Sequence, residues 1–205
     1  MKNQNDKKII NSFFEWGVLR RQKHVGWILA GVETPDTVAE HCFRAALIAY
    51  VLAVMEGANP EKCVTMALIH DLPECRIGDI HKVTARYLSK KQAEKTAFSE
   101  QMQDLPKEIA EKWTQLKLEQ EERNSREGIV VRDADWLEMA LMARENVVNG
   151  YKSCQMWIDR IRASLETESA KELLEQIDKA DPYEWWKGLK PPVKKLNSVK
   201  KNKLK

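Results

Sequence analysis

Two neighbouring residues in this sequence could hold the same metal ion. His70 and Asp71 stand at the end of the apolar segment MALIHDLPEC, shortly before Pro73. An imidazole or a carboxylate that is buried without a partner costs several kcal/mol or shifts its pKa. We therefore expect the pair to face a common partner where a buried helix ends.

A second histidine and a further aspartate have comparable surroundings. His41 lies in the first turn of the predicted helix that contains TVAEHCFR, and Asp135 lies in GIVVRDADWLEMALMA beside an apolar stripe. A carboxylate next to such a stripe is expected to be partly buried and therefore paired or metal-bound. Asp133, two residues earlier, is expected to face solvent. Taken singly, His41 could be a core histidine and Asp135 a surface carboxylate. The stripe is formed by Val130, Ala134, Leu137 and Leu141.

The four candidate ligands are His41, His70, Asp71 and Asp135, and they come from three predicted helices. Neutral imidazole is the commonest protein ligand for a transition metal, and a carboxylate adds an anionic oxygen. Such a set suits Mn, Co, Mg, Fe, Ni or Zn better than it suits the oxygen cage of Ca. The sequence leaves the identity of the divalent ion open.

Helices must position these side chains, and the sequence predicts an all-α fold. Thr37 and Glu40 have the spacing of a capping box, and Gly57 stands where a C-terminal cap belongs. The helix that carries His41 is therefore predicted over residues 37–56.

The helix that carries His70 is predicted to begin at Asn59-Pro60 and to end near Leu72, because Pro73 disfavours helical geometry before it. A turn through Gly26 and an extended stretch up to Pro35 are expected before residue 37. The remaining predicted helices cover residues 8–22, 82–103, 106–124, 127–149, 152–165 and 168–180.

Length and composition predict one globular domain over residues 1–186. The chain has 205 residues, of which 43% are hydrophobic and 32% charged, and no apolar stretch reaches the roughly 20 residues of a membrane span. The segment MKNQNDKKII lacks the apolar region of a signal peptide, and the four cysteines form no C-x-x-C pair. We expect a cytoplasmic protein with reduced thiols and no membrane partner.

Residues 187–205 form a lysine-rich tail with eight lysines and no acidic residue. So few apolar residues predict a disordered segment. The rest of the chain is mildly acidic, because the net charge of the whole sequence is only +3. Nucleic acid is not expected to bind through the tail, and contact with RNA or an anionic surface is the alternative.

The order of these motifs resembles the HD-domain metal-dependent phosphohydrolase superfamily, in which a histidine, a His-Asp pair and a later aspartate follow one another on a helical scaffold. From Gly26 to Asp135 the order GW, TPDTVAEH, ALIHDLPECRIGDI and the helix with Asp135 is similar to the 5′-deoxynucleotidase branch, in its archaeal and eukaryotic Gly-Trp form. That branch removes phosphate from deoxynucleoside monophosphates. The resemblance implies an HD-domain bundle of about six to eight helices that uses a divalent metal ion.

The resemblance also implies roles for individual residues. Asp71 would be catalytic as well as a metal ligand, and Glu74 would transfer a proton or form a second ion site with Asp79. Asp79 and Trp27 would contact the substrate, with Trp27 as a wall of the sugar pocket. Taken alone, Glu74 and Asp79 could be turn formers, and Trp27 could be a core or dimer-contact residue.

The sequence departs from the bacterial members of this branch at the residue before the tryptophan, where they carry an arginine and this chain has Gly26. Another cation must then contact the phosphate, and preference for deoxyribose over ribose is left open. His24 and His81 are not expected to be metal ligands. The candidate phosphate-binding cations are Arg20, Arg21, Lys23, Lys82 and Arg86.

The leading hypothesis is metal-dependent hydrolysis of nucleoside 5′-monophosphates, and two alternatives are kept. One is another HD phosphohydrolase, a nucleotide pyrophosphatase or a phosphodiesterase, and the other is a non-catalytic nucleotide-binding or RNA-binding module. A homodimer is expected because the branch forms dimers and because the chain has more large aromatic residues than a small core absorbs. The residues behind that argument are Trp16, Trp157, Trp185 and Trp186.

Overall fold

The computed structural model describes residues 2–189, and in that part of the chain it contains helices and no β-strand. The predicted all-α class is confirmed. Eight of the α-helices have at least eight residues, in agreement with the expected bundle. Short 3-10 turns lie at Gly17–Arg20, Thr84–Arg86 and Lys152–Cys154. The α-helices are α1 (Lys2–Trp16), α2 (Val25–Leu29), α3 (Val38–Glu56), α4 (Pro60–Ile69), α5 (Glu74–Ile77), α6 (Lys90–Met102), α7 (Lys107–Glu122), α8 (Arg126–Val148), α9 (Gln155–Arg162), α10 (Glu168–Ile177) and α11 (Glu184–Lys187).

Helices α3, α4 and α8 form the centre of the bundle, with α3 packed against both of the others. Their inward side chains are buried together in one hydrophobic core. Because burial of apolar side chains is the main favourable term in folding, this three-helix contact is the rigid frame of the molecule. Fully buried members of this core include Leu52, Met66, Val130 and Leu137.

The ends of α3 match the sequence prediction. The Glu40 N–H donates to Thr37 Oγ1 at 3.3 Å, and the Thr37 N–H donates to Glu40 Oε2 at 2.6 Å, which completes a capping box. Gly57 closes the helix with a φ of 65°, a left-handed value that residues with a Cβ rarely adopt. This capped helix carries His41 in its first turn.

Helix α4 begins as predicted and ends slightly earlier. The Asn59 side chain accepts a hydrogen bond from the Lys62 N–H, and Pro60 is the first helical residue. Ile69 is the last helical residue, so His70 is the residue that caps the helix. The segment after Pro73 forms α5, one helical turn that begins at Glu74, where a loop was expected.

Three predicted elements are placed differently in the structure. The first helix, predicted over residues 8–22, is α1 at Lys2–Trp16 and is followed by the 3-10 turn at Gly17–Arg20. Gly26 lies inside α2 rather than in a turn. The helix predicted over residues 82–103 is divided, because His81 Nδ1 accepts from the Thr84 N–H and starts a separate 3-10 turn at Thr84–Arg86 before α6. The loop that results lies along the cleft described below.

A short antiparallel contact holds the segment before α2 against the start of α3. Lys23 and Thr37 form an isolated β-bridge, and the His24 N–H donates to the Asp36 carbonyl oxygen at 3.1 Å. The Val25 N–H donates to Asp79 Oδ2 at 2.8 Å. These bonds place His24 and α2 directly beside the first turn of α3.

The expectation that Asp133 faces solvent is wrong, because its side chain is fully buried. Its carboxylate accepts hydrogen bonds from the Glu166 N–H, the Thr167 N–H and Thr167 Oγ1, the last two at 2.7 Å. These hydrogen bonds from the start of α10 replace the water molecules that the Asp133 carboxylate loses when it is buried. Asp133 fastens α10 to α8.

Two sequence predictions concern the lysine-rich tail and the absence of a membrane span. Residues 187–189 are described, but the remainder of the lysine-rich tail, for which disorder was predicted, lies outside the described residues. Helix α3 is long and apolar enough to cross a membrane by length and composition alone. It is also the helix that contributes His41 and much of the core.

Candidate metal centre

The structure brings the four candidate ligands together where α3, α4 and α8 meet. His41 Nε2 lies 3.3 Å from His70 Nε2 and 3.3 Å from Asp135 Oδ1. Asp71 Oδ2 lies 3.1 Å from His70 Nε2 and 3.8 Å from His41 Nε2. Two imidazole nitrogens and two carboxylate oxygens thus face one another across a single small space.

Each histidine is held by its other ring nitrogen, so that Nε2 points into this space. His70 Nδ1 lies 2.7 Å from the Ala67 carbonyl oxygen, one turn back in α4. His41 Nδ1 contacts Glu138 Oε2 on α8. A carbonyl or carboxylate partner at one ring nitrogen fixes the orientation of the ring, as is usual for metal-binding histidines.

Burial and neighbouring charges shift the pKa of each of the four candidate ligands. Burial lowers the pKa of His41, but the hydrogen bonds that its ring donates to the Asp135 and Glu138 carboxylates outweigh burial and hold that pKa well above its ordinary value. For Asp71, burial raises the pKa, and the His70 charge prevails and lowers it. The carboxylates therefore stay ionised and need positive charge nearby.

The chemistry of the donor set fits a divalent metal ion. His41, His70 and Asp135 each offer one ligand atom, and these atoms all lie within 4.8 Å of one another. Both histidines are buried, and two anionic carboxylates share their space. Mixed nitrogen and oxygen ligands of this kind suit Mn, Fe, Co, Ni or Zn, and a cation between them offsets the repulsion of the two carboxylates.

Glu74 faces the cleft from the first turn of α5 and is almost fully buried. Burial and the nearby Asp71 charge raise its pKa to about 8, against the opposing effect of Lys90. Its Oε1 lies 3.2 Å from Lys90 Nζ, and its Oε2 has no hydrogen-bond partner within the described part of the chain. A carboxylic acid that keeps its proton near neutral pH can act as a proton donor.

Asp79 lies near Glu74, but a lysine stands between the two carboxylates. Lys90 Nζ is 3.2 Å from Glu74 Oε1 and 3.9 Å from Asp79 Oδ1. The ammonium group places positive charge between these carboxylates, and a second ion held by Glu74 and Asp79 stays a prediction. Asp79 also accepts the hydrogen bond from the Val25 N–H, which fixes the start of α2.

Trp27 lies beneath an apolar pocket that adjoins the metal centre. Its side chain is fully buried, and its ring packs against Trp157 with ring centroids 4.9 Å apart. The pocket has a volume of about 560 Å³ and is lined by Trp27, Trp157, Met139 and Trp136 among others. Trp27 is therefore both a core residue and a wall of this pocket.

The cleft at the metal centre is polar and has a volume of about 490 Å³. It shares His24, Asp79, Lys90, Trp136 and Met139 with the apolar pocket, so the two form one continuous depression.

The cations that line the polar cleft differ from those that the sequence suggested. Of the five suggested, Lys82 lines the apolar pocket and Lys23 binds the Pro35 carbonyl oxygen on another face. Arg20 contacts the Gly17 carbonyl oxygen, and Arg20, Arg21 and Arg86 do not line the cleft. The cations that do line it are Lys90, Lys91, Lys117, Arg123 and Arg132.

Two further residues lie beside the centre. His24 was not expected to be a metal ligand, and Glu138 was not predicted. His24 lies against His41 with ring centroids 4.6 Å apart, and its ligand atom is within 4.8 Å of those of His41 and Asp71. Glu138 contacts His41 Nδ1. Glu138 falls one turn after Asp135, and this spacing was the one signal in the sequence that could have found it.

Comparison with known proteins gives one family and several relatives. A family model described as HD domain matches residues 16–178. The protein named 5′-deoxynucleotidase HDDC2 of Bos taurus is 34% identical over 130 residues, which is 63% of this chain and 63% of that protein. A solved structure of a conserved hypothetical protein from Pyrococcus furiosus has a TM-score of 0.69 and 28% identity, and the match covers 83% of this chain and 99% of that one.

The matches to named relatives are partial. The chain spans about 63% of the length of the Bos taurus and Homo sapiens relatives and 65% of the Mus musculus relative. The matched structure covers almost all of the archaeal protein.

Proposed function

The chain belongs to the HD-domain family, and we propose that it uses a divalent metal ion to hydrolyse (deoxy)nucleoside 5′-monophosphates to nucleoside and phosphate. The observation that carries the proposal is the metal centre next to a buried, proton-retaining Glu74. The similarity to proteins named 5′-deoxynucleotidase supports the choice of substrate.

His41, His70, Asp71 and Asp135 would hold the ion. A bound divalent ion lowers the pKa of water and neutralises phosphate charge. In the metal-free protein, burial and the Asp71 charge raise the pKa of Glu74 to about 8, so the group carries a proton at neutral pH. It would donate that proton to the sugar oxygen that leaves phosphorus, so that the nucleoside departs as a neutral alcohol.

The polar cleft and the apolar pocket would bind different parts of the substrate. The phosphate would lie in the polar cleft, where Lys117 Nζ is bound at 2.8 Å to the His70 carbonyl oxygen. The nucleoside would lie in the apolar pocket above Trp27, with Asp79 at the boundary of the two spaces. Burial of the base against aromatic and methionine side chains supplies binding energy with little base selectivity.

Phosphate release from a panel of nucleotides tests the proposal. Metal-free protein is assayed with deoxy- and ribonucleoside monophosphates, with each candidate ion added separately. We expect hydrolysis that depends on added metal, and Asp71→Ala should lose both metal and activity while keeping its helicity. Asp104→Ala, which removes a carboxylate that pairs with Lys8 far from the cleft, is the control and should retain both. Metal-independent activity, or metal retained in Asp71→Ala, would contradict the proposed ligand set.

A specific observation favours one second candidate, a pyrophosphatase that acts on nucleoside polyphosphates. Beyond Arg123 and Arg132 the polar cleft continues into a further cavity of about 530 Å³. The guanidinium carbon of Arg132 lies 4.5 Å from the centre of the Trp136 ring, which presents a cation at the entrance. The same nucleotide panel, extended to di- and triphosphates, distinguishes the candidates by the product released.

We propose that the protein forms a homodimer through the outer face of α3. Six apolar side chains on that face are each between 45% and 65% exposed. An apolar stripe of this kind can pair with its own copy without opposing like charges. Two of the four tryptophans that suggested a dimer are packed within the monomer, since Trp16 lies against Trp113 and Trp157 against Trp27. The six residues are Phe43, Leu47, Tyr50, Val51, Val54 and Met55.

A cytoplasmic location without a membrane partner belongs to the same proposal. The inner face of α3 carries His41 and core residues, which supports its role as a core helix rather than a membrane span. All four cysteines are unpaired and buried, as expected in a reducing compartment.

A further inference from the structure

Glu138 is a buried acid that belongs to no ligand set, yet it contacts one of the ligands. Its side chain is 1% exposed. Oε2 contacts His41 Nδ1, on the side of the ring opposite the metal centre. An ionised carboxylate in such a place costs several kcal/mol unless its partners compensate for the lost water.

Arg44 supplies the compensation from the outer side of α3. Its Nε donates a hydrogen bond to Glu138 Oε1 at 2.9 Å, and its Nη2 lies 2.8 Å from the same oxygen within the ion pair. Arg44 Nη1 lies 2.6 Å from Glu145 Oε1, about two turns further along α8 than Glu138. The side chain of Arg44 is 30% exposed and lines a groove on the face away from the cleft.

These contacts form a continuous chain from the metal centre to the outer face of the bundle. The chain runs from His41 to Glu138 to Arg44, and it joins α3 to α8 twice. We propose that Glu138 and Arg44 are positioning residues that set the affinity of the centre for its metal ion. The inference rests on the metal centre of the proposed function.

The physical role of Glu138 follows from its contact with Nδ1. An acceptor there keeps the proton of the metal-bound imidazole on Nδ1 and leaves Nε2 free to face the ion. The negative charge also makes the imidazole a better electron donor to a metal ion. Arg44 holds Glu138 in the orientation that allows this contact, because its Nε donates a charge-assisted hydrogen bond to Glu138 Oε1.

Metal affinity of the full-length protein tests the role directly. Co²⁺ and Zn²⁺ are titrated into metal-free protein in competition with a chelator, and no substrate is used. We expect Glu138→Gln, which keeps a carbonyl acceptor but loses the charge, to bind metal roughly 10- to 100-fold more weakly. Glu138→Ala should be weaker still, and Arg44→Met should show a smaller loss than either.

Two control variants separate this role from a general loss of stability. Asp133→Asn changes another fully buried acid of α8, one that binds α10 rather than a metal ligand, and should leave the metal affinity within about twofold of wild type. Glu145→Gln removes the other partner of Arg44 and leaves the Glu138 contact intact. The proton on His41 Nδ1 gives a second readout, because its downfield NMR resonance in the Zn²⁺-loaded protein should shift in Glu138→Gln and stay in Asp133→Asn.

The measured metal affinities distinguish failure of the inference from failure of the proposed function. Equal metal affinity in wild type, Glu138→Gln and Arg44→Met would overturn the inference while leaving the proposed function standing. A wild-type protein that binds neither ion would contradict the proposed function itself. If Glu138→Gln does not fold, Arg44→Met decides alone, because Arg44 lies at the surface and wild-type affinity in that variant would also overturn the inference.

Discussion

Burial gives the Glu74 carboxyl group a property that proton transfer requires, because it raises the pKa of this group. Its carboxyl group lies beside Asp71, and Lys90 contacts only one of its two oxygens. Ionisation therefore places a second negative charge in a space that already holds one. The Glu74 carboxyl group therefore loses its proton only to a more basic acceptor or at a pH above its raised pKa.

The raised pKa of Glu74 predicts a pH-dependent stability of the metal-free protein. The folded-state pKa of about 8 lies above the ordinary carboxyl value of 4.5. The favourable contribution of Glu74 is thus fully present below pH 4.5 and is lost as the pH rises through 8. Relative to Glu74→Gln, the wild type should lose up to a few kcal/mol of unfolding free energy between about pH 5 and pH 9.

Urea unfolding of both proteins at several pH values measures this difference. Glu94→Gln is the matched control, because Glu94 pairs with the same lysine at 3.4 Å and does not contact the metal centre. That variant should keep the pH dependence of the wild type. A difference between wild type and Glu74→Gln that does not change with pH would show that Glu74 is ionised throughout.

The sequence could identify candidate ligands by type and order, but not the residues that hold them in place. His41, His70, Asp71 and Asp135 stand in motifs whose order is readable along the chain. Asp133 was misplaced and Glu138 was missed because α8 is buried around most of its circumference, where helical periodicity no longer separates an inner face from an outer one. The list of buried residues on α8 includes Val130, Val131, Asp133, Ala134, Leu137, Glu138 and Ala140.

At the scale of elements, predictions held where caps terminate a helix. Ser125 accepts from the Gly128 N–H at the start of α8, and the capping box starts α3. Both helices were placed within about two residues. The segment from His81 to Ser89 was misassigned, because the contact of His81 with Thr84 and the position of the cleft decide its course, and neither is visible as a periodic pattern.

The junction of α8 with α10 makes a prediction at this scale. Asp133→Asn weakens the hydrogen bonds that its carboxylate accepts from the start of α10. Because hydrogen bonds to a charged group are stronger than neutral ones, we expect a loss of roughly 1–3 kcal/mol in unfolding free energy. Turnover per folded molecule should not change, because the carboxylate bonds to α10 rather than to a ligand.

Denaturant unfolding and a turnover assay at the same temperature check the two halves of that prediction. Asp159→Asn is the control, since this carboxylate on α9 is exposed and the same chemical change there should cost little. Undiminished stability in Asp133→Asn would mean that Thr167 and the backbone of α10 do not depend on the charge.

At the scale of the whole molecule, the site lies within the bundle, and the basic tail follows the bundle in the sequence. The residues that line the polar cleft and the apolar pocket all fall between His24 and Ser164. Helix α11 leaves the bundle with Trp185 75% exposed, and the eight lysines begin at residue 187. The division between domain and tail stays a prediction of the sequence, because charge and composition change abruptly at residue 187.

Deletion of residues 188–205 should leave kcat for a deoxynucleoside monophosphate nearly unchanged. The lysines can still raise the rate at which an anionic substrate is captured, so KM should rise at low salt. At about 0.1 M salt charges more than roughly 10 Å apart are screened, and the difference should shrink. Loss of kcat at both salt concentrations would contradict an accessory role, and loss of RNA retention with no phosphatase activity in either protein would favour the binding-module alternative.

The outer face of α3 makes the last prediction, because it carries six exposed apolar side chains that the proposed activity leaves unused. Leu47 lies on that face and is 56% exposed. A glutamate at this position would place one charge from each copy in an apolar contact, where it has no partner and cannot be solvated. We expect sedimentation at micromolar concentration to show a dimer for the wild type and a monomer for Leu47→Glu. Leu118→Glu makes the same change on the exposed side of α7 and should remain dimeric. A monomeric wild type would refute the dimer, whereas a dimeric Leu47→Glu would place the interface on another face.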